Sequence, residues 1–196
     1  MNRVLSMLLD AAIAAVVLIP LFLLLNKCYF HNTKRSTLYF LFSVYLCGMF
    51  AVVGLPDICY IRFDPNFNFT LFAYMFSDAI NSLLNVALFL PMGFCLPLLW
   101  KAFAPLRKTL LFGFGVSLFI EILQIFTFRA SDVNDLITNS AGTILGWCFA
   151  RILMWAFPGL CPEDNRNDVS VVCLSAFGIM FFLQPFPANY FFRLLQ

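Results

Sequence analysis

The chain has 196 residues, of which 62% are hydrophobic and 11% charged, with a formal charge of +2 and a mean hydropathy of +0.90. Globular domains are about half apolar and about a quarter charged, so this composition makes lipid the solvent and excludes a disordered, fibrous or secreted disulfide-framework protein. With 12 Lys+Arg against 10 Asp+Glu there is no basic surplus to grip a phosphodiester backbone, which excludes nucleic acid as a partner.

A spanning helix needs roughly 20 mostly apolar residues. Six runs approach that, at about 4–25, 38–55, 82–99, 109–128, 136–157 and 169–183. They predict an all-α fold, a polytopic transmembrane bundle of about six helices with short loops. In the first run Ala11 to Ala15 could mimic a signal-peptidase site, but apolar sequence continues through Leu25. That is longer than a signal-peptide h-region, so the run reads as a retained anchor. Lys27, Lys34 and Arg35 follow the first run, and Lys101, Arg107 and Lys108 follow the third. Cytoplasmic loops collect basic residues, so both loops are expected inside. Alternation then puts the amino terminus, the 56–80 and 129–135 loops and the carboxyl terminus outside. Those outer loops hold Asp57, Asp64, Asp78, Asp132 and Asp135 against Arg62 and Arg129. The 56–80 loop is rich in Phe and Tyr and is expected at headgroup depth. No internal repeat is visible, and Pro162 to Asp168 is a short polar connector.

The seven cysteines are scattered, with no two at metal-ligand spacing, and read as core residues. His31, the single histidine, leaves a His/Cys zinc site little to use and lies in a basic loop as a surface residue. No cofactor is expected.

Polar side chains within spans are expensive and usually face the bundle interior. In the third span Asp78, Asn81 and Asn85 recur on one helical face; in the fourth, Ser117, Glu121 and Gln124 do. Asp132, Asp135, Asn139, Gly142 and Gly146 follow at steps of three, four, three and four residues. That is a single stripe, polar above and glycine below. All three clusters are expected in the outer half of the membrane, with Asp10 at similar depth. Asp132 reads either as an N-cap with Asp135 at the third helical position or as a functional acid. Asn81 and Asn85 read as interhelical glue or as ligand contacts. Gly142 and Gly146 read as close helix packing, and Pro91, Gly93 and Pro97 as a bend. Glu121, about 10 Å below the outer end of its span at helical rise, needs a partner. Arg129, Asn85 or Gln124 could supply it.

The string Asn81-x3-Asn85-x5-Pro91-x-Gly93, then Glu121-x2-Gln124, then Arg129-x2-Asp132-x2-Asp135-x3-Asn139-x2-Gly142-x3-Gly146 resembles the VanZ-like family, named for the teicoplanin-resistance membrane protein. The likeness covers about 38–157. It divides the chain into an extra N-terminal span with its basic loop (1–37), a VanZ-like core (38–157), and a connector, final span and tail (158–196). The resemblance implies a bacterial cytoplasmic-membrane protein. The namesake confers resistance to a lipidated glycopeptide without remodelling the cell-wall precursor, although membership is broader than resistance.

Three functions are compatible with these residues. The first is a binding protein that engages a membrane lipid, a lipid-linked cell-wall precursor or a lipoglycopeptide antibiotic through Asn81, Asn85, Glu121, Gln124, Arg129, Asp132, Asp135 and Asn139. The second is a membrane-embedded enzyme with Glu121, Asp132 and Asp135 as acid, base or ligands of a hard divalent cation. The third is a small transporter, weakened by an inner half that offers no exit path. The first is preferred because it needs only the cluster and its aromatic frame. Homo-oligomerisation through the glycine stripe stays open.

Overall fold

A computed structural model describes residues 3–54, 56, 58, 61, 63, 67–68, 79–127, 131–159, 166–183 and 186. Six α-helices follow one another: α1 (Arg3–Leu25), α2 (Thr33–Val53), α3 (Ala79–Leu99), α4 (Leu106–Gln124), α5 (Val133–Ala156) and α6 (Arg166–Gly178). The fold is the all-α bundle that the composition demands. Among the described residues four apolar segments are long enough to cross a membrane: Leu9–Phe30, Thr33–Val53, Ala79–Leu99 and Val133–Ala156. α4, with 19 residues, includes Arg107, Lys108 and Glu121, and the last apolar stretch, Asn167–Leu183, is shorter. The chain is a multi-pass membrane protein.

The helices form two compact units. One comprises Met1–Ile61 with Asn167–Gln196, the other Arg62–Arg166. In the first, α1 passes through one π-helical turn, Asn26–Phe30, to His31 in the left-handed region at φ 50°. Asn32 then caps α2 by accepting from the Arg35 backbone N–H, and Gly54, at φ 72°, ends it because glycine takes that conformation without a Cβ penalty. α2 and α6 run parallel in fixed register. The Tyr39 hydroxyl donates to Asp168, Ser43 to the Val172 carbonyl and the Cys47 thiol to the Ala176 carbonyl. Arg35 adds an ion pair to the buried Asp168 at 3.9 Å.

In the second unit α3 and α5 are parallel and α4 is antiparallel to both. α3 and α5 meet backbone to backbone. A Cβ on Gly142 would collide with the Val86 backbone, and one on Gly146 with the backbone of Leu90, Gly93 and Phe94. A Cβ on Gly93 would strike the Thr143 backbone, and one on Gly113 of α4 the Thr143 side chain. Gly93, expected with Pro91 and Pro97 to bend α3, is a packing position, and the helix runs unbroken through both prolines. Its flanking prolines gave it the local signal of a bend, whereas its contact lies across the bundle. Phe89, Met92 and Leu96 complete a fully buried α3 face, and Trp100, just past the helix, is buried with them.

The cysteines divide. Cys47 is buried, but Cys28 and Cys148 are exposed on the helical surface and are not the core residues expected. An apolar residue on a membrane helix is equally at home facing lipid.

Gly142→Leu or Gly146→Leu is expected to lower folded yield several-fold and reduce the unfolding temperature, since the new side chain meets backbone that no rotamer change can clear. Gly115→Leu is the control, because nothing lies within 4 Å of its Cβ position. Wild-type yield and thermal stability for Gly142→Leu would contradict the backbone contact.

Candidate functional site

α4 turns Ser117, Glu121 and Gln124 to one buried face, and α5 meets that face with its own polar side chains. Asp132 is the N-cap of α5. Its Oδ1 accepts from the backbone N–H and from Nδ2 of Asn134, both at 2.9 Å, satisfying a helix-terminal donor. The backbone N–H of Asp132 in turn donates to Glu121 Oε2 at 2.9 Å. A backbone amide thus meets the carboxylate for which Arg129, Asn85 or Gln124 was the expected partner, Arg129 itself lying outside the described residues. No sequence pattern displays such a donor. Asn85 Nδ2 instead donates to Asp135 Oδ1 at 2.7 Å, a short, charge-assisted bond that ties α3 to the first turn of α5. There the acid also complements the helix dipole. Deeper in the unit, Asn139 Nδ2 donates to Ser117 Oγ at 2.8 Å.

The pairs Asn85–Asp135, Glu121–Asp132 and Ser117–Asn139 therefore tie α5 to both neighbours, with Gln124 on the same α4 face as Glu121. Asn81 lies exposed in the first turn of α3. Phe67 and Asn68 pair in parallel with Ser131 and Asp132, which brings the segment ahead of α3 onto the entry to α5. Arg129, Asp78 and Arg62 fall outside the described residues, as does most of the aromatic 56–80 loop.

Gln124 Oε1 and Asn139 Oδ1 are buried and have no hydrogen-bond partner among the described residues; their residues are 5% and 4% exposed. A buried acceptor left unpaired costs about 1–3 kcal/mol. Sequence reasoning named both residues but could not show that their oxygens would lack donors. It passed over Asn134, which is also buried; an Asn two residues after a capping Asp was the available signal. Thr138 and Thr143 are buried too, with hydroxyls donating to the carbonyls of Asn134 and Asn139 one turn back.

Among the described residues no three His, Cys, Asp or Glu side chains are grouped so as to hold a metal ion. Glu121, Asp132 and Asp135, weighed as a cation ligand set, do not converge as one. Each accepts from a separate donor: the Asp132 amide, Asn134 and Asn85 respectively.

Glu121→Leu is expected to destabilise the protein by roughly 2 kcal/mol, because it removes a bond to a charged acceptor and orphans the Asp132 N–H. Glu121→Gln, whose amide oxygen still accepts, should lose less than half of that. Thermal unfolding of both variants in detergent is the measurement, and equal losses would show that the Asp132 bond contributes nothing.

The family model described as VanZ/LLP1 matches residues 39–154, from the second turn of α2 to the last turn of α5. Neither a curated protein nor a solved structure matches the chain. The matched residues include Asn85, Glu121, Gln124, Asp132, Asp135, Asn139 and the packing glycines, and they make up more than half of the chain: this protein belongs to the VanZ-like family.

Proposed function

We propose that this VanZ-like membrane protein binds, without turnover, the polar headgroup of a lipid-linked cell-wall precursor, or of a lipidated glycopeptide of the teicoplanin type, at the cluster shared by α3, α4 and α5. The observation that carries this reading is the pair of buried amide oxygens on Gln124 and Asn139. Sugar hydroxyls and peptide N–H groups are the donors such headgroups offer in number, and each bond to a buried acceptor recovers free energy that the unliganded protein forgoes. The acids beside them are already engaged, Asp135 by Asn85 and Glu121 by a backbone amide. They act here as fixed struts rather than as catalysts.

In this reading the cluster faces the outer leaflet. The support is the basic clustering of Lys27, Lys34, Arg35, Lys101, Arg107 and Lys108 in the two loops assigned to the cytoplasm. The parallel runs of α2 with α6 and of α3 with α5 are those that alternating spans require. In a cysteine-free background, a membrane-impermeant thiol reagent applied to intact cells should modify Ser131→Cys and leave Pro105→Cys untouched. The reverse pattern would invert the assignment.

Binding is tested with a fluorescent lipid-linked cell-wall precursor titrated into purified protein. Gln124→Met and Asn139→Leu keep the size of the side chain and delete the acceptor, Asn139→Leu also removing the donor to Ser117. Each should weaken binding roughly fivefold, about 1 kcal/mol apiece. Gln124→Met should also raise thermal stability, because an apolar replacement for an orphaned polar group is neutral or favourable. Lower stability with unchanged affinity, or no saturable binding by the wild type, would remove the proposal.

A further inference from the structure

We infer a second lipid site, in the unit that holds α1 and α2, specific for an anionic glycerophospholipid. The hairpin encloses a groove of about 180 Å³ lined by Ile19, Phe22, Leu23 and Asn26 of one arm and Thr33, Ser36, Thr37 and Phe40 of the other. Both sets follow the same spacing of three, one and three residues, so each arm presents one helical face to the groove. The lining changes along its length. Ile19, Phe22, Leu23 and Phe40 form an apolar wall, and Asn26, Thr33 and Thr37 a polar mouth at the turn. From Ile19 to Asn26 is seven residues, about 10 Å at helical rise. That is a headgroup at one end and the start of an acyl chain at the other.

The mouth is organised for an acceptor ligand. Asn26 is held from both sides, with Oδ1 accepting from the Asn32 backbone N–H at 3.1 Å and Nδ2 donating to Thr33 Oγ at 3.4 Å. Thr33 accepts there, which leaves its hydroxyl hydrogen to donate outward. It is the first residue of α2, so the positive end of that helix dipole lies at the mouth. Lys27 and Lys34, each next in sequence to a mouth residue, are exposed. Arg35 is directed to Asp168, so Lys27 and Lys34, exposed at the turn that joins the two arms, are the lysines within reach of a headgroup seated there. No acidic residue occurs between Asp10 and Asp57 in the sequence, and the buried Asp168 is taken up by Arg35 and Tyr39. A zwitterionic headgroup would set its own cation against this rim, and a free phosphate would leave the apolar wall unused. An anionic phospholipid uses both halves.

The test is native mass spectrometry of the full-length protein released from detergent with phosphatidylglycerol or phosphatidylcholine added stepwise. At about fivefold per basic residue near the headgroup, the wild type should prefer phosphatidylglycerol roughly 30-fold. K27Q/K34Q should abolish that preference, whereas K101Q/K108Q, which removes the same charge elsewhere in the chain, should keep it. Thr37→Trp, filling the groove from an exposed position, should reduce retention of both lipids. Soluble glycerol phosphate should displace neither. The inference is overturned if K27Q/K34Q keeps the preference, if K101Q/K108Q loses it equally, if Thr37→Trp retains lipid normally, or if glycerol phosphate competes.

Discussion

The backbone contact between α3 and α5 sets the geometry of the candidate site. Gly93, Gly142 and Gly146 leave no side chain between the two helices, so their register is fixed by backbone surfaces rather than by adjustable rotamers. Thr143 then seats against Gly113 and fixes α4 in the same joint. With that register Asn85 reaches Asp135, Asn139 reaches Ser117, and Glu121 arrives at the Asp132 N–H. A slip of α5 by one helical turn, about 5.4 Å, against both α3 and α4 would break all three together. The glycines are therefore part of the site although none of them could touch a ligand by a side chain.

Much of this was readable in the sequence, because membrane burial makes polar residues informative. Ser117, Glu121 and Gln124 recur at helical spacing, as do Asp135, Asn139, Gly142 and Gly146, and in an apolar run that periodicity can only mean an inward face. What could not be read is whatever depends on a second helix. Gly93 carries the same local signal whether it bends α3 or packs against Thr143. Glu121 takes a backbone amide that no side-chain pattern announces. The α2–α6 register, Tyr39 with Asp168 and Ser43 with Val172, joins residues of ordinary helical polarity across more than a hundred positions, and only the folded chain displays the match. Arg35 shows the same limit from another direction. Its charge serves as an orientation signal in the sequence, while in the fold it also stabilises the buried carboxylate of Asp168.

The hydroxyl groups of the bundle show a different way of closing polarity. Thr138, Ser140, Thr143 and Ser175 donate to carbonyls of their own helices, and Ser36 and Ser43 donate to carbonyls of neighbouring ones. These are inexpensive solutions, since a hydroxyl can turn toward a carbonyl that already has a helical bond and a spare lone pair. An amide is less adaptable, having a donor end and an acceptor end fixed in one plane. Asn85 and Asn139 both commit the donor end to a neighbouring helix, which is what helix-to-helix glue requires.

In the proposed function the acceptor end is what distinguishes a binding surface from glue. Had the cluster been selected only to hold α3, α4 and α5 together, apolar residues of similar size at 124 and 139 would do so at less cost, because lipid-exposed bundles gain their cohesion from packing and the glycine joint already supplies it. Keeping two amides whose oxygens stay unpaired sacrifices stability on the buried faces of α4 and α5. Such local sacrifice is characteristic of sites that use unpaired groups for recognition. The α3–α5 joint is built from backbone contact and Thr143 seats α4 against it, which limits how far the helices can shift toward those oxygens; in the proposed function the acceptors are held for a ligand that brings its own donors.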